Sequence, residues 1–318
     1  MSASGFFKRS GNLQLLLLPI LSVCVIYIPL AFMRPVVTKY NGLQLLLNMA
    51  IPLSLVTMAQ MFAMAIGEID FSIGNLVSLV TCIVGSVLPG SPLLGIAMLL
   101  GIIAFYFVMG AFLYVRKLSS IVVTIGMSFV WTGLAVTIQP SPGGQIPQFL
   151  QDLVSWSPPL VPLPVIFLVV LAVIGHLVLF RTNFGILVRG IGGNVKAIVQ
   201  SGHSTTLIVG TVFGLVGLLA ILSGATLAGL TTSADANVAS NYTLLSVAGV
   251  MLGGGSFAGG KVSAVGAVLG ACTMTLVGTL LTFLRISPDW QIGSQGFILL
   301  VVLFLNGIMK RSTEVTHV

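Results

Sequence analysis

Apolar residues fill most of this chain in blocks of up to about twenty, broken by short clusters of charge, glycine and proline. A helix rising about 1.5 Å per residue needs about 20 apolar residues to cross roughly 30 Å of hydrocarbon. Ten segments meet or approach that length: 13–33, 43–66, 72–88, 93–114, 121–138, 162–180, 207–230, 244–258, 262–284 and 291–309. The third and eighth are short. Interruptions near 67–74 and 253–260 mark candidates for broken or re-entrant helices, tolerated in a membrane where protein covers the backbone. The pattern predicts an all-α polytopic membrane protein with about ten transmembrane helices, forming one domain over residues 1–318. Ten crossings divide into two sets of five, and a five-helix half places its duplicate upside down, the inverted-repeat plan of many transporters. No residue-level repeat between the halves is visible.

Basic residues orient such a chain. With the N-terminus in the cytoplasm, the inner connections hold Lys8, Arg9, Arg116, Lys117, Arg181, Arg189, Lys196, Lys261, Lys310 and Arg311. The outer ones hold only Arg34, Lys39 and Arg285. That bias predicts both termini cytoplasmic, residues 181–206 an inner loop, and 139–161 and 231–243 outer loops. Tyr40, Trp156, Tyr242 and Trp290 fall near the outer ends, as interfacial aromatics do. The first block, Leu13 to Met33, exceeds the roughly 7 to 15 residues of a signal-peptide core and reads as a first span.

Composition narrows the class. The chain is 57% hydrophobic and 6% charged, against about 25% charged residues in soluble domains, which excludes an ordinary water-soluble fold. The net charge of +7 does not point to nucleic acid, because the charges punctuate apolar blocks and form no stripe. Cys24, Cys82 and Cys272 are scattered and read as packing residues; His176 reads as packed and His203 as solvated. None has a partner at metal-ligand spacing, and no catalytic set is visible. The 37 glycines fit close helix contacts, with Gly210/Gly214 and Gly266/Gly270 at G-x-x-x-G spacing.

Three polar clusters stand out. GEIDFSIG (67–74) carries Gly67, Glu68, Asp70, Ser72 and Gly74. It reads as a turn near the cytoplasmic interface whose Asp70 or Ser72 accepts from the first amides of the third span; gating or a proton relay are the other readings. RTNFGILVRGIGGNVKAIVQSGHS (181–204) has room for a short helix outside the bilayer and reads as a topology signal or a docking element. GGGSFAGGKVS (253–263) matches G-x-x-x-x-G-K of a phosphate-binding loop at Gly255, Gly260 and Lys261. Val262 stands where Ser or Thr would hold Mg²⁺, and apolar spans flank the stretch, so nucleotide binding is not expected. Thr57, Gln60, Asn75, Ser78, Thr124 and Ser128 are candidate linings of a polar path, each equally suited to bonding a neighbouring helix.

With these clusters in place, residues 45–309 resemble the permease subunit of bacterial ABC sugar importers of the ribose, xylose and autoinducer-2 type. GEIDFSIG resembles that family's G-x-I-D-L-S-V-G, and IVVTIGM (121–127) its I-V-T-L-G-T. TNFGILVRGIGGN (182–194) with SGHS resembles its T-x-F-G-R-x-x-x-A-I-G-G-N and S-G-I, with Leu187 in place of the family's Arg. LLSVAGVMLGGGSFAGGKVSAVGAVLGA (244–271) resembles its A-A-V-V-L-G-G-T-S-L-x-G-G-x-G. The resemblance implies a translocation path for a sugar in the bacterial inner membrane. It implies a periplasmic binding protein, ATPase subunits that hold ATP and Mg²⁺, and a second permease copy, identical or paralogous. This chain would itself bind no cofactor. It places ATPase coupling at Gly185, Arg189, Gly192, Gly193, Asn194, Lys196, Ser201 and Gly202. Gating would fall to the 67–74 motif with Gly253, Gly254, Gly259 and Gly260. The competing reading is an ion-driven secondary transporter using Glu68 and Asp70.

Overall fold

The computed structural model describes residues 4–287 together with 290, 293, 294, 296 and 297, and side chains within the first helix from Leu17 onward. The segment 291–309 expected as the last span, with Lys310 and Arg311, lies almost wholly outside the described residues. Among those described, the chain is helical: α1 (Ser4–Met33), α2 (Tyr40–Asn48), α3 (Ala50–Ala65), α4 (Ile73–Cys82), α5 (Pro92–Arg116) and α6 (Ser120–Ile138) come first. Then follow α7 (Gln148–Ser155), α8 (Leu163–Arg181), α9 (Asn183–Gln200), α10 (Thr205–Thr231), α11 (Tyr242–Leu252) and α12 (Ala264–Phe283). Five of these (α5, α6, α8, α10 and α12) are long and apolar enough to cross a membrane, and the bent pair α2–α3 makes a sixth.

The bend has a cause. Pro52 has no N–H to offer the carbonyl of Asn48, and its ring crowds that carbonyl; α2 ends at Asn48 and α3 departs at 41°. Three residues into α3, the Pro52 carbonyl also accepts a 2.8 Å hydrogen bond from Ser223 of α10. All of α3 is buried. It forms the axis of the molecule, with α8, α9, α10, α11 and α12 packed around it. Outside this core, α5, α6 and α8 are mostly uncovered: 17% of the α6 span is buried, against 67% of α10. Their exposed residues, such as Ile125, Phe129, Val169 and Val173, are apolar, the surface that lipid or another apolar helix requires.

Glycine sets the closest contacts. A methyl on Gly266 or Gly270 of α12 would collide with the backbone of Gly253 or Gly249 on α11, so the G-x-x-x-G of α12 meshes with a matching glycine pair. Gly210, Gly214 and Gly217 of α10 receive Phe107 and Tyr106 of α5.

The third and eighth segments are half-helices. After α3 ends, residues 67–72 form an irregular connection before α4 starts; after α10 ends, residues 232–241 form a second one, built largely of turns, before α11. α4 finishes in a π turn, Ile83–Val87, which leaves the Gly85 carbonyl free to accept from the Gln145 amide at 2.7 Å. Beside it, Gly143 and Ala234 exchange two backbone hydrogen bonds of 2.9 and 2.7 Å. The two half-helices begin side by side, the Gly74 amide donating to Thr243, and then diverge. The far end of α4 lies against Ala234 and Ile146, whereas α11 runs on to the turn that meets Ala65 and Gly192.

Three expectations change. His176 is exposed on α8, stacked on Phe180 at 4.8 Å, because its face of the helix is uncovered. Tyr242 does not mark an interface; it opens α11 beside Thr243 and packs partly buried against the core. The loop expected at 139–161 contains α7, while 181–206 holds α9, 18 residues long, the helix for which the sequence left room. Cys82 and Cys272 are buried, and Cys24 is exposed.

Candidate functional site

The 67–74 motif is a backbone return held by side chains from four helices. Gly67 ends α3 in the left-handed conformation (φ 84°), with the Gly67 amide on the Met64 carbonyl (3.0 Å) and the Glu68 amide on Ala63 (3.0 Å). That paired pattern is the Schellman end, for which glycine lacks the Cβ penalty. Glu68 is half-buried. By Asp70 the chain has climbed back beside Gln60, more than one turn before the end of α3. The Gln60 amide, oriented by this network, donates to the Asp70 carbonyl (3.2 Å) and accepts from its N–H (3.3 Å). Ser120 and Thr124 of α6 accept from the amides of Ile69 (3.3 Å) and Phe71 (2.9 Å). An extended segment inside a membrane protein needs such partners for every amide.

Asp70 is fully buried. Its Oδ1 accepts from the Ser72 amide and from the Ser72 hydroxyl, both at 2.7 Å. The Ser72 hydroxyl also lies 2.9 Å from that of Tyr106 on α5, whose ring stacks on Trp131 of α6. Asp70 therefore closes the turn ahead of α4, as expected, but Ser72 makes no cap bond to the helix. The cap comes from elsewhere: Thr243 Oγ1 accepts from the Gly74 amide at 3.0 Å.

The path candidates gather around this return. Thr57, Gln60, Ser78 and Thr124 are wholly buried. Thr57 donates to Leu53, Ser78 accepts from the Ala239 amide (3.0 Å), and Asn75 donates to the Ser128 carbonyl (3.2 Å) and to Thr132 (2.6 Å). Ser128 donates to Ile125 within α6. Gln60, Asn75, Ser78 and Thr124 thus tie one segment to another, while the hydroxyls of Thr57 and Ser128 bond within their own helices. Tyr106, Ser120, Thr132 and Thr243 were not foreseen. A tyrosine at mid-span, away from any interface, was the available signal for the first.

The second cluster is α9. Thr182 caps it by accepting from the Gly185 amide (3.1 Å), and Gly185 lets it turn tightly against the carbonyls of Val178 and Leu179 at the end of α8. Arg189 lays its guanidinium 4.4 Å over the Phe180 ring and donates to the Gly185 carbonyl. At Asn194 the backbone leaves helical geometry (φ −158°, ψ 91°), and its side chain accepts from the Ala197 amide. Beyond this kink, Val195, Lys196, Ala197 and Val199 are exposed, as are Ser201, Gly202 (φ 80°) and His203. Ser201 donates to the Ile198 carbonyl and lies 3.2 Å from His203.

The third cluster is no phosphate cradle. Such a loop needs free amides converging on the anion. Here the amides of Gly254 and Gly255 serve Met251 and Val250, closing α11. Those of Ser256 and Gly259 bond within the turn, and that of Gly260 donates to Ala65 at 2.9 Å. Ser263 then caps α12 through the Gly266 amide. Among the described residues, no group of His, Cys, Asp and Glu could hold a metal ion.

An apolar helical bundle with two buried half-helices and a free amphipathic helix at one end defines a multi-pass membrane permease. Residues 42–303 match the family described as branched-chain amino acid transport system / permease component, and the chain belongs to that family. Its similar relatives include the ribose import permease protein RbsC of Bacillus subtilis (strain 168), 28% identical over 91% of each chain. The autoinducer 2 import system permease protein LsrC of Photorhabdus luminescens is 28% identical over 89% of this chain and 84% of its own. The galactofuranose transporter permease protein YtfT of Escherichia coli (strain K12) is 27% identical over 82% and 78%. No solved structure matches. The chain is thus a transport component and not an enzyme.

Proposed function

We propose that this chain is the membrane-spanning permease of an ATP-binding-cassette importer in the bacterial inner membrane, conducting a sugar delivered by a periplasmic binding protein. The observation that carries the reading is full-length similarity to permeases named for ribose, galactofuranose and autoinducer 2. ATP and Mg²⁺ belong to separate ATPase subunits, and two permease copies, identical or paralogous, form the path. Both termini are cytoplasmic, and 139–161 and 231–243 face the binding protein. The exposed half of α9, with Lys196, Ser201 and Gly202, docks on the ATPase, and Gly185, Arg189, Gly192, Gly193 and Asn194 set its angle. The 67–74 return, with Gly253, Gly254, Gly259 and Gly260, moves in gating.

The half-helices support an inverted five-plus-five plan: α3 with α4 and α10 with α11 each follow the order of long helix, irregular connection and half-helix, and α4 and α11 diverge from a shared start. Alternation between outward and inward states draws on differential binding of ATP to the two states. Proteoliposomes test the reading. Uptake is expected only with ATPase subunit, ATP and binding protein; uptake by the chain alone under an ion gradient would overturn it. An acidic residue at Gly193 or Asn194 should leave insertion intact and abolish coupling of hydrolysis to uptake.

A further inference from the structure

Residues of all three polar clusters meet at one point, and they meet by backbone alone. Gly192 of α9, Gly67 at the end of α3 and Gly259 in the turn before α12 converge so closely that Gly192 and Gly259 leave no room for a side chain, although a methyl at Gly67 would meet only the Ala258 carbonyl at 3.9 Å. A methyl at Gly259 would lie 2.9 Å from the Gly192 Cα and 3.0 Å from the Gly67 nitrogen. A methyl at Gly192 would collide with the Ala65 carbonyl and the Gly260 amide, which are themselves hydrogen-bonded at 2.9 Å. Gly67 and Gly259 have φ of 84° and 82°, conformations that other residues adopt only with strain. Gly193, next along α9, meets nothing within 4 Å.

We infer that Gly67, Gly192 and Gly259 form a rigid backbone joint through which movement of α9 reaches both half-helices together. Ala65 and Gly67 lead into the return that starts α4, and Gly259 lies in the turn that α11 runs into. Side chains at such a joint would yield by changing rotamer; backbone in direct contact cannot, so displacement is passed on undiminished. The three glycines are positioning residues for transport. The inference rests on α9 being the docking element.

The test uses the assembled permease, ATPase and binding protein in proteoliposomes. Gly192→Ala and Gly259→Ala should assemble and hydrolyse ATP yet move at least tenfold less sugar per ATP, while Gly133→Ala, on an exposed face of α6 with nothing within 4 Å, should match the parent. Equal loss at Gly133→Ala, or parental stoichiometry in Gly259→Ala, would overturn the joint. Should either variant fail to assemble, hydrogen exchange in the unaltered complex decides. Binding of non-hydrolysable ATP should change protection in 66–71 and 256–262 together, and a change in only one would overturn it. Crosslinking of Lys196→Cys to the ATPase tests the docking reading separately, since its failure leaves the joint's geometry intact but removes α9 as its driver.

Discussion

A single hydroxyl shows how much depends on partners from distant sequence. The Gly74 amide opens α4 in the buried interior, and Thr243 supplies it with an acceptor from 169 residues away. Leaving a buried donor unsatisfied costs about 1–3 kcal/mol. Thr243→Val, close in shape, should therefore lower the melting temperature of the detergent-solubilised protein measurably, and Thr243→Ser should restore it. Equal melting of Thr243→Val and the parent would mean that the amide finds another acceptor. The Asp70–Ser72–Tyr106 chain makes a second case. Tyr106→Phe keeps the ring against Trp131 and removes only the hydroxyl beside Ser72, a bond worth about 1 kcal/mol. The melting temperature should fall slightly, and Ser72→Ala added to it should cost less than on the parent background, because the two changes delete one interaction. Full additivity would show that the two hydroxyls do not interact.

Elements explain what the sequence could and could not disclose. Long apolar blocks bounded by charge were legible because burial in lipid imposes a length, and α5, α6, α8, α10 and α12 fall within a few residues of their expected limits. The half-helices were legible only as irregularities. Nothing local states that residues 67–72 fold back along α3, since the acceptors Ser120, Thr124 and Gln60 belong to other spans or an earlier turn. Hydroxyls such as Thr57 and Ser78 look alike in sequence whether they line a path or tie a helix. Glycine spacing was more informative: Gly266 and Gly270 announced a close contact, although their partners Gly249 and Gly253 came from the structure. Larger side chains there must push α11 and α12 apart, and overpacking costs about 1–3 kcal/mol or more. Gly270→Leu should abolish recovery of monodisperse protein, whereas Gly101→Leu, on a face of α5 with nothing within 4 Å, should be recovered like the parent. Similar recovery of both would refute glycine-dictated packing of this helix pair.

At the scale of the molecule, the two ends differ in kind, and that difference sets the direction in which the machine must sit. One end carries α9, with exposed Lys196 beyond its kink, together with Arg181, Lys261 and the Arg116–Lys117 pair. The other carries α7 and the stretches around Gly143 and Ala234, with Asp152 and Asp235, and has fewer basic residues, Lys39 among them, beside Tyr40, which donates to Pro158 just past α7. Positive residues are retained on the cytoplasmic side during insertion, so the proposed function predicts that α9 faces the compartment that holds ATP and α7 the one from which substrate arrives. The arrangement is directly measurable in a variant whose Cys24, Cys82 and Cys272 are replaced by alanine or serine. A membrane-impermeant thiol reagent added to intact cells should label Gln148→Cys and spare Lys196→Cys; the same reagent added to inside-out vesicles should reverse the pattern. Labelling of Lys196→Cys from outside would put the docking helix out of reach of any cytoplasmic motor. Neither the ATPase coupling nor the glycine joint could then operate, whatever sugar the chain conducts.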